Sequence, residues 1–181
     1  MNAVVLITGA NGMLARSLAK SLGSNYTVRF LTRKVTRQNE FKWDIKLKYI
    51  DPEALKDVNH IIHLAGSSVA EKRWTLKRKR EIYSSRVDSA QLILNELQKN
   101  NQKIDSFISA SAIGYYGSKT TNDILTEESK NGEDYLGEVC KDWESVAHTF
   151  KEKNVAHNTS ILRLGIVLKN NSGALKKMTP S

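Results

Sequence analysis

The sequence predicts a doubly wound α/β fold, in which helices cover both faces of a parallel sheet. Short apolar runs alternate with helical patterns along the chain, and the first run passes through a glycine-containing turn into a helix. Alternating strands and helices require crossover connections, and right-handed crossovers produce a parallel sheet. A chain of 181 residues, 40% hydrophobic and 26% charged, suits one domain over residues 1–181.

Local patterns place each element. Residues 3–8 form a continuous apolar run typical of a buried strand, and Leu14, Leu18 and Leu22 have helical spacing within residues 12–22. Asp51 before Pro52 predicts a capped short helix at 51–55. Further strands are predicted at 26–32, 41–45, 58–66, 104–111 and 159–168, further helices at about 74–82, 85–99 and 135–153, and a polar loop at 112–134.

The turn between the first strand and the first helix carries Gly9 and Gly12, with Ala15 one helical turn later. Gly9 permits a sharp turn, and Gly12 lets the backbone approach a pyrophosphate whose charge the helix N–H groups can bind. Ala15 stands where a packing glycine often lies. Because this turn follows a strand and begins a helix, it predicts a Rossmann-type dinucleotide site. A simple tight turn is the alternative.

Six blocks carry a resemblance to a known group of proteins: TGANGMLA (8–15), HLAGSSVAEKRW (63–74), SR (85–86), SASAIGYYG (109–117), VCKDWE (139–144) and LRLGIVL (162–168). Together they resemble the extended short-chain dehydrogenase/reductase superfamily, and within it the nucleotide-sugar-epimerase-like branch called "epimerase family protein". The resemblance covers nearly the whole chain. It implies an NADP-binding oxidoreductase or epimerase acting on a small, sugar-like substrate. Branch members carry a C-terminal part that completes the substrate pocket, and this part is expected to be absent after KKMTPS (176–181).

The end of the second strand indicates which dinucleotide is bound. NAD-preferring enzymes usually place a carboxylate there for the ribose 2′-hydroxyl. Here Thr32 is followed by Arg33 and Lys34, and the Arg33 fork suits a 2′-phosphate. NADP is therefore expected over NAD, with solvated loop cations as the alternative. The cofactor residues expected from the turn, the strand end and the resemblance are Thr8, Gly9, Asn11, Gly12, Met13, Leu14, Thr32, Arg33, Asp44 (for the adenine amino group), Leu64, Ala65, Gly66 and Arg86.

The resemblance also implies catalytic positions. The superfamily uses a Ser or Thr after the fifth strand, then a Tyr with a Lys four residues later, whose ammonium lowers the tyrosine pKa. Ser111 and Tyr135 match the first two positions, but Val139 occupies the lysine position. The acid–base pair is therefore incomplete. Tyr135 as a packed aromatic, and Ser111 as a satisfied strand-end hydroxyl, are the alternatives.

A second Tyr-x-x-x-Lys spacing, from Tyr115 to Lys119, is interpreted as chance because it directly follows a strand and contains glycine. Tyr115 or Tyr116 is still expected to contact nicotinamide or substrate. His60 and His63 are three apart in a strand and so point to opposite faces, so a metal site is not expected.

Charge and cysteine content bear on partners and location. Much of the net charge of +9 lies in residues 72–86, which predicts a solvated helix face or a surface for an anionic cofactor or substrate. Nucleic-acid and membrane partners are not expected, and the oligomeric state is open. The lone Cys140 and the absence of a signal-peptide pattern favour the cytoplasm. A non-catalytic NADP-binding sensor or scaffold, favoured by Val139, is the alternative function.

Overall fold

The computed structural model describes residues 2–118, 120 and 122–169. The strands are β1 (Val4–Thr8), β2 (Thr27–Thr32), β3 (Glu40–Asp44), β4 (Tyr49–Ile50), β5 (Val58–His63), β6 (Ile104–Ala112), β7 (Ala156–Leu164) and β8 (Leu168–Lys169). The α-helices are α1 (Met13–Leu22), α2 (Pro52–Leu55), α3 (Leu76–Ser84), α4 (Val87–Lys99) and α5 (Tyr135–Glu152), with 3₁₀ turns at Gly23–Asn25 and Ile113–Tyr116.

The central sheet has the strand order β4-β3-β2-β1-β5-β6-β7. Neighbouring strands from β3 to β7 run parallel, whereas β4 pairs antiparallel with β3. The chain leaves β1 on one side through β2 and β3 and returns on the other side through β5. Ligands of such sheets bind where this order reverses, at the carboxyl ends of the strands. The predicted doubly wound fold class is confirmed.

Alternate residues of β1 face two separate cores. Val4 and Leu6 belong to the larger apolar cluster, which includes buried residues of α2, α4 and α5. Val5 and Ile7 belong to a second cluster with Ala15 of α1. The side-chain period of two in a strand places these pairs on opposite faces. Both faces of β1 are therefore covered, which explains its continuous apolar sequence.

Side-chain caps set the starts of three helices. Asp51 accepts from the Glu53 amide, as its position before Pro52 predicts. Thr75 accepts from the Arg78 amide at the start of α3, and Asp134 accepts from the Gly137 amide at the start of α5. Each cap satisfies a backbone donor that has no partner within its helix.

Several predicted boundaries differ from the structure. The strand expected at 58–66 ends at His63, so the following three residues form the turn at the sheet edge. The strand expected at 159–168 spans Ala156–Leu164 instead, and β4 was not anticipated because it has only two residues. The predicted 112–134 loop begins with the last strand residue and a 3₁₀ turn. The KKMTPS segment and Lys119 lie outside the described residues.

Candidate active site

A cleft of about 220 Å³ opens at the carboxyl ends of β1, β2, β3 and β5. Eight of the residues predicted to bind a cofactor line it: Gly9, Asn11, Gly12, Thr32, Arg33, Leu64, Ala65 and Gly66. Its remaining lining residues are Ala10, Leu31, Trp43, Ile45, Ser67 and Ser85. The four strand ends thus bring the glycine turn, the Arg33 turn and the turn after β5 together around one space.

The glycine turn comes into close backbone contact with the turn after β5. Gly9 has a φ of +77°, and a Cβ there would lie 2.8 Å from the Leu64 carbonyl oxygen. The Gly12 amide donates to the Gly9 carbonyl at 2.7 Å. Gly12 is also the N-cap of α1, where no side chain caps the helix and the first turn holds no acidic residue. The turn can therefore present helix N–H groups to an anion.

Thr8 holds the turn after β5, which forms the wall of the cleft facing the glycine turn. Its buried Oγ1 accepts hydrogen bonds from the backbone amides of Leu64 and Ala65, both at 2.9 Å. Thr8 itself does not line the cleft. The structure thus places this predicted cofactor residue behind the turn that forms the wall.

The loops after β2 and β3 supply the side chains at the far end of the cleft. Arg33 is exposed and is the one charged residue in the cleft lining of the described chain. Asp44 ends β3, and its Oδ1 accepts from the amides of Lys46 and Leu47 at 2.9 and 3.1 Å. Asp44 does not line the cleft, although its two neighbours in the chain do. A contact between Asp44 and adenine stays a prediction.

Those two neighbours, Trp43 and Ile45, were not anticipated as site residues. Trp43 is only 4% exposed and belongs to the larger core. The signal that could have found them is their place at the carboxyl end of a parallel strand, where such folds bind ligands. Ser67 and Ser85 also line the cleft and were not anticipated as site residues, although both lie in the HLAGSSVAEKRW and SR blocks.

Arg86 lies directly behind the turn after β5. A Cβ on Gly66 would lie 3.0 Å from the Arg86 Cζ. The guanidinium Nη1 donates to the carbonyls of Ser67 and Ile82, each at 3.1 Å, and the group lies 5.5 Å from the Trp143 ring centroid. Burial lowers the pKa of Arg86. Met13 and Leu14, also predicted cofactor residues, belong to the first turn of α1 and do not line the cleft.

Ser111, near the carboxyl end of β6, is part of a cluster of hydrogen-bonded polar side chains. Its hydroxyl donates to Glu144 Oε1 at 2.6 Å. Glu144 in turn receives hydrogen bonds from Arg163 Nε and Nη2, at 2.9 and 2.8 Å. Arg163 Nη1 also donates to the Tyr116 hydroxyl at 3.0 Å, and its Cζ lies 3.5 Å from the Tyr115 ring centroid. Both tyrosines of the GYYG block are thus gathered around Arg163, and Glu144 is a partner that the sequence did not reveal.

Tyr135 opens α5, but its hydroxyl is already engaged. It donates to the Lys79 backbone carbonyl at 2.5 Å, and the ring makes an edge contact with Trp74 at 5.6 Å between centroids. Burial raises the pKa of Tyr135, the opposite of the lowering that proton exchange near neutral pH requires. Val139, one helical turn on, is only 2% exposed. The structure therefore shows neither a free phenol nor an ammonium at the predicted lysine position.

The structure also bears on the lone cysteine, on metal binding and on membrane spans. Cys140 is buried, and burial raises the pKa of its thiol. Within the described residues, no three His, Cys, Asp or Glu side chains are grouped to hold a metal ion. No helix in the described part of the chain is long and apolar enough to cross a membrane.

Comparison with known proteins supports one family. The NAD dependent epimerase/dehydratase family matches residues 5–140. Epimerase family protein ML0860 of Mycobacterium leprae is 29% identical over 180 residues, which cover 98% of this chain. The solved nucleoside-diphosphate sugar epimerase from Corynebacterium glutamicum has a TM-score of 0.81 and 29% identity, covering 98% of this chain and 37% of its own.

A human structure shares the fold at lower identity. The human epimerase family protein SDR39U1 (isoform 2), solved with NADPH, has a TM-score of 0.80 and 22% identity, covering 97% of this chain and 58% of its own. The present chain spans 57% of the length of the mycobacterial relative. The family match extends over most of the chain and includes the glycine turn, the cleft-lining turns and the start of α5. This chain belongs to the NAD dependent epimerase/dehydratase family.

Proposed function

We propose that the cleft binds NADP(H), and that the chain takes part in an oxidoreduction or epimerisation of a small, sugar-like substrate. The observation that carries the proposal is the charge of the cleft lining. Arg33 supplies a guanidinium at the end of β2, and the lining of the described cleft holds no carboxylate. A 2′-phosphate gains charge-assisted hydrogen bonds there, whereas a 2′-hydroxyl would lack its usual acidic partner.

The remaining cleft residues are compatible with a dinucleotide. Gly9 and Gly12 keep side chains out of the space before α1, where a pyrophosphate can meet helix N–H groups. The apolar side chains of Trp43 and Ile45 line the same cleft as Arg33, and an apolar lining suits a flat base. The nicotinamide ring supplies hydride transfer when bound. The solved relative named as a nucleoside-diphosphate sugar epimerase supports a sugar-like substrate.

The two hydroxyls predicted to transfer protons are both hydrogen-bonded within the protein. Ser111 and Tyr135 remain the predicted catalytic residues, but each hydroxyl has a partner within the protein, Glu144 and the Lys79 carbonyl respectively. A reaction through them requires these hydrogen bonds to be exchanged for substrate contacts. Binding of NADPH without turnover would instead support the sensor or scaffold function. The cytoplasmic location also stays a prediction.

Calorimetric titration of the 181-residue chain with NADPH and NADH tests the cofactor proposal. The wild-type chain is expected to bind NADPH more tightly. Arg33→Ala is expected to weaken NADPH binding by roughly 10- to 100-fold, the equivalent of losing charge-assisted hydrogen bonds, and to leave NADH binding nearly unchanged. Lys20→Ala is the matched control, since it removes one exposed positive charge at the last turn of α1. Absence of binding by the wild-type chain, or equal losses in both variants, would reject the proposal.

Turnover requires a separate experiment. Hydride transfer measured in both directions, from labelled NADPH to simple carbonyl compounds and from labelled nucleotide sugars to NADP+, separates an enzyme from a binding protein. Label transfer that requires a higher cofactor concentration in Arg33→Ala than in the wild type would support an NADP-dependent reaction. Tight NADPH binding with no transfer to any compound would favour the non-catalytic function.

A further inference from the structure

We infer that His63 is a positioning residue of the dinucleotide cleft and acts as the neutral imidazole with its proton on Nε2. The inference rests on the proposed NADP(H) binding. His63 ends β5, is 0% exposed, and directly precedes the cleft-lining Leu64 and Ala65. It therefore touches no cofactor and acts through the backbone on either side of it.

The hydrogen bonds of Thr8 determine which ring nitrogen carries the proton. A hydroxyl group has one proton and two lone pairs. The amides of Leu64 and Ala65 donate to Thr8 Oγ1, each at 2.9 Å, and so occupy both lone pairs. The Thr8 proton is then directed to the remaining neighbour, His63 Nδ1, at 3.0 Å. Nδ1 must accept this proton, and a neutral imidazole that accepts at Nδ1 carries its own proton on Nε2.

The second ring nitrogen faces acceptors on α4 and the residue before it. Nε2 lies 3.3 Å from the Arg86 backbone carbonyl and 3.2 Å from Ser89 Oγ. Ser89 Oγ is placed to donate to the Ser85 carbonyl at 2.8 Å, which leaves its lone pairs for the imidazole N–H. The ring thus joins the end of β1, the end of β5 and the start of α4.

These connections determine the shape of the cleft. The turn after β5 contacts the glycine turn so closely that a Cβ on Gly9 would meet the Leu64 carbonyl. Arg86, whose carbonyl faces His63, holds the next part of the same turn through Ser67. Without an acceptor at residue 63, the Thr8 hydroxyl can rotate away from the two amides. The wall is then less preorganised, and cofactor affinity falls.

The surroundings keep the imidazole neutral. Phe107 of β6 stacks on the ring, and Trp143 of α5 meets it edge-on, each at 6.0 Å between centroids. From β1 the ring contacts Thr8, which is uncharged. Burial lowers the pKa of His63 to about 4. The positive charge of Arg86 also lowers the pKa of the imidazole. A proton on Nδ1 would face the Thr8 hydroxyl proton, and the hydrogen bond between Thr8 and His63 would be lost.

Two measurements test the inference on the full chain. In ¹⁵N spectra of histidine-labelled protein without cofactor, His63 is expected to show an unprotonated Nδ1 and a protonated Nε2 at neutral pH. In calorimetric titrations, His63→Leu is expected to weaken NADPH binding by about tenfold, because it leaves a buried donor without a partner. His63→Asn keeps a short carbonyl acceptor and is expected to retain affinity within about threefold.

His60→Asn is the matched control, since His60 lies in the same strand and contacts Ser106 instead. Its NADPH affinity is expected to equal that of the wild type. A proton on Nδ1, or unchanged affinity in folded His63→Leu, would overturn the inference. If His63→Leu does not fold, Thr8→Val replaces it with the same expected loss. A wild-type chain that binds no NADPH would instead overturn the proposed function, while the ¹⁵N result would still report the tautomer.

Discussion

Ser111 donates its hydroxyl proton to Glu144 across the buried interface between β6 and α5, at 2.6 Å. The same carboxylate pairs with Arg163, and both side chains are largely buried, with 8% and 15% exposed respectively. The pairing raises the pKa of Arg163. The Ser111 hydroxyl thus already has a buried hydrogen-bond partner. Its predicted catalytic role requires that the hydrogen bond to Glu144 be broken when substrate binds.

Glu144→Ala is expected to lower the free energy of unfolding by about 3 kcal/mol, because it leaves the Arg163 charge without its partner. Ser111→Ala removes one hydrogen bond and is expected to cost about 1 kcal/mol. Urea denaturation measures both. Glu152→Ala, at an exposed position of the same helix, is the control and is expected to stay within about 0.5 kcal/mol of wild type. Equal stabilities of Glu144→Ala and Glu152→Ala would contradict this.

Gly9→Ala is expected to lose NADPH binding and to destabilise the fold more than Gly23→Ala does. Both glycines have positive φ, +77° and +55°, so alanine is strained at either position by about 1–2 kcal/mol. A Cβ at Gly9 would also meet the Leu64 carbonyl, whereas one at Gly23 has nothing within 4 Å. Thermal unfolding and NADPH titration of the two variants measure the difference. Equal effects would show that the contact with Leu64 does not constrain the cleft.

Restoring the superfamily lysine by Val139→Lys is expected to destabilise the chain rather than to activate Tyr135. Val139 is 2% exposed, so an ammonium there would lose most of its hydration. We expect a loss of about 3 kcal/mol or more in urea denaturation. Glu138→Lys, at the exposed neighbouring position, is expected to change stability by less than about 1 kcal/mol. A stable variant with a lowered Tyr135 pKa would refute this expectation.

Acid is expected to destabilise the chain through His63. Its pKa is about 4 in the folded state and near 6.5 when unfolded, so between these values the unfolded chain binds the additional proton. This contribution is fully present above pH 6.5 and falls as the pH decreases toward 4. At pH 5 this contribution to the free energy of unfolding is expected to be about 2 kcal/mol smaller than at neutral pH.

The measurement compares urea denaturation at pH 7.5 and pH 5 for the wild type and His63→Asn. The asparagine variant cannot titrate at this position, so its stability is expected to fall less than that of the wild type. The difference between the two proteins removes the contribution of the carboxylates, which they share. Identical pH dependence of the two proteins would show that His63 takes up its proton as readily in the folded chain as in the unfolded chain.

Much of the fold was predictable because its signals are local. The continuous apolar run of β1, the helical leucines of α1 and the Asp51 cap each depend on neighbours in the sequence. The cleft was also predictable, since carboxyl ends of parallel strands meet at one sheet edge. The two-residue β4 left too little pattern to be recognised.

The sequence by itself determined the order of strands and helices, the glycine turn before α1 and the cations at the end of β2. Only the tertiary structure decided which groups, distant in the sequence, the buried polar side chains contact. Ser111 and Glu144 are 33 residues apart, and Tyr135 and Lys79 are 56 apart, yet both pairs are hydrogen-bonded. Backbone pattern depends on neighbours along the chain, whereas a buried hydroxyl takes whichever partner packing brings within reach.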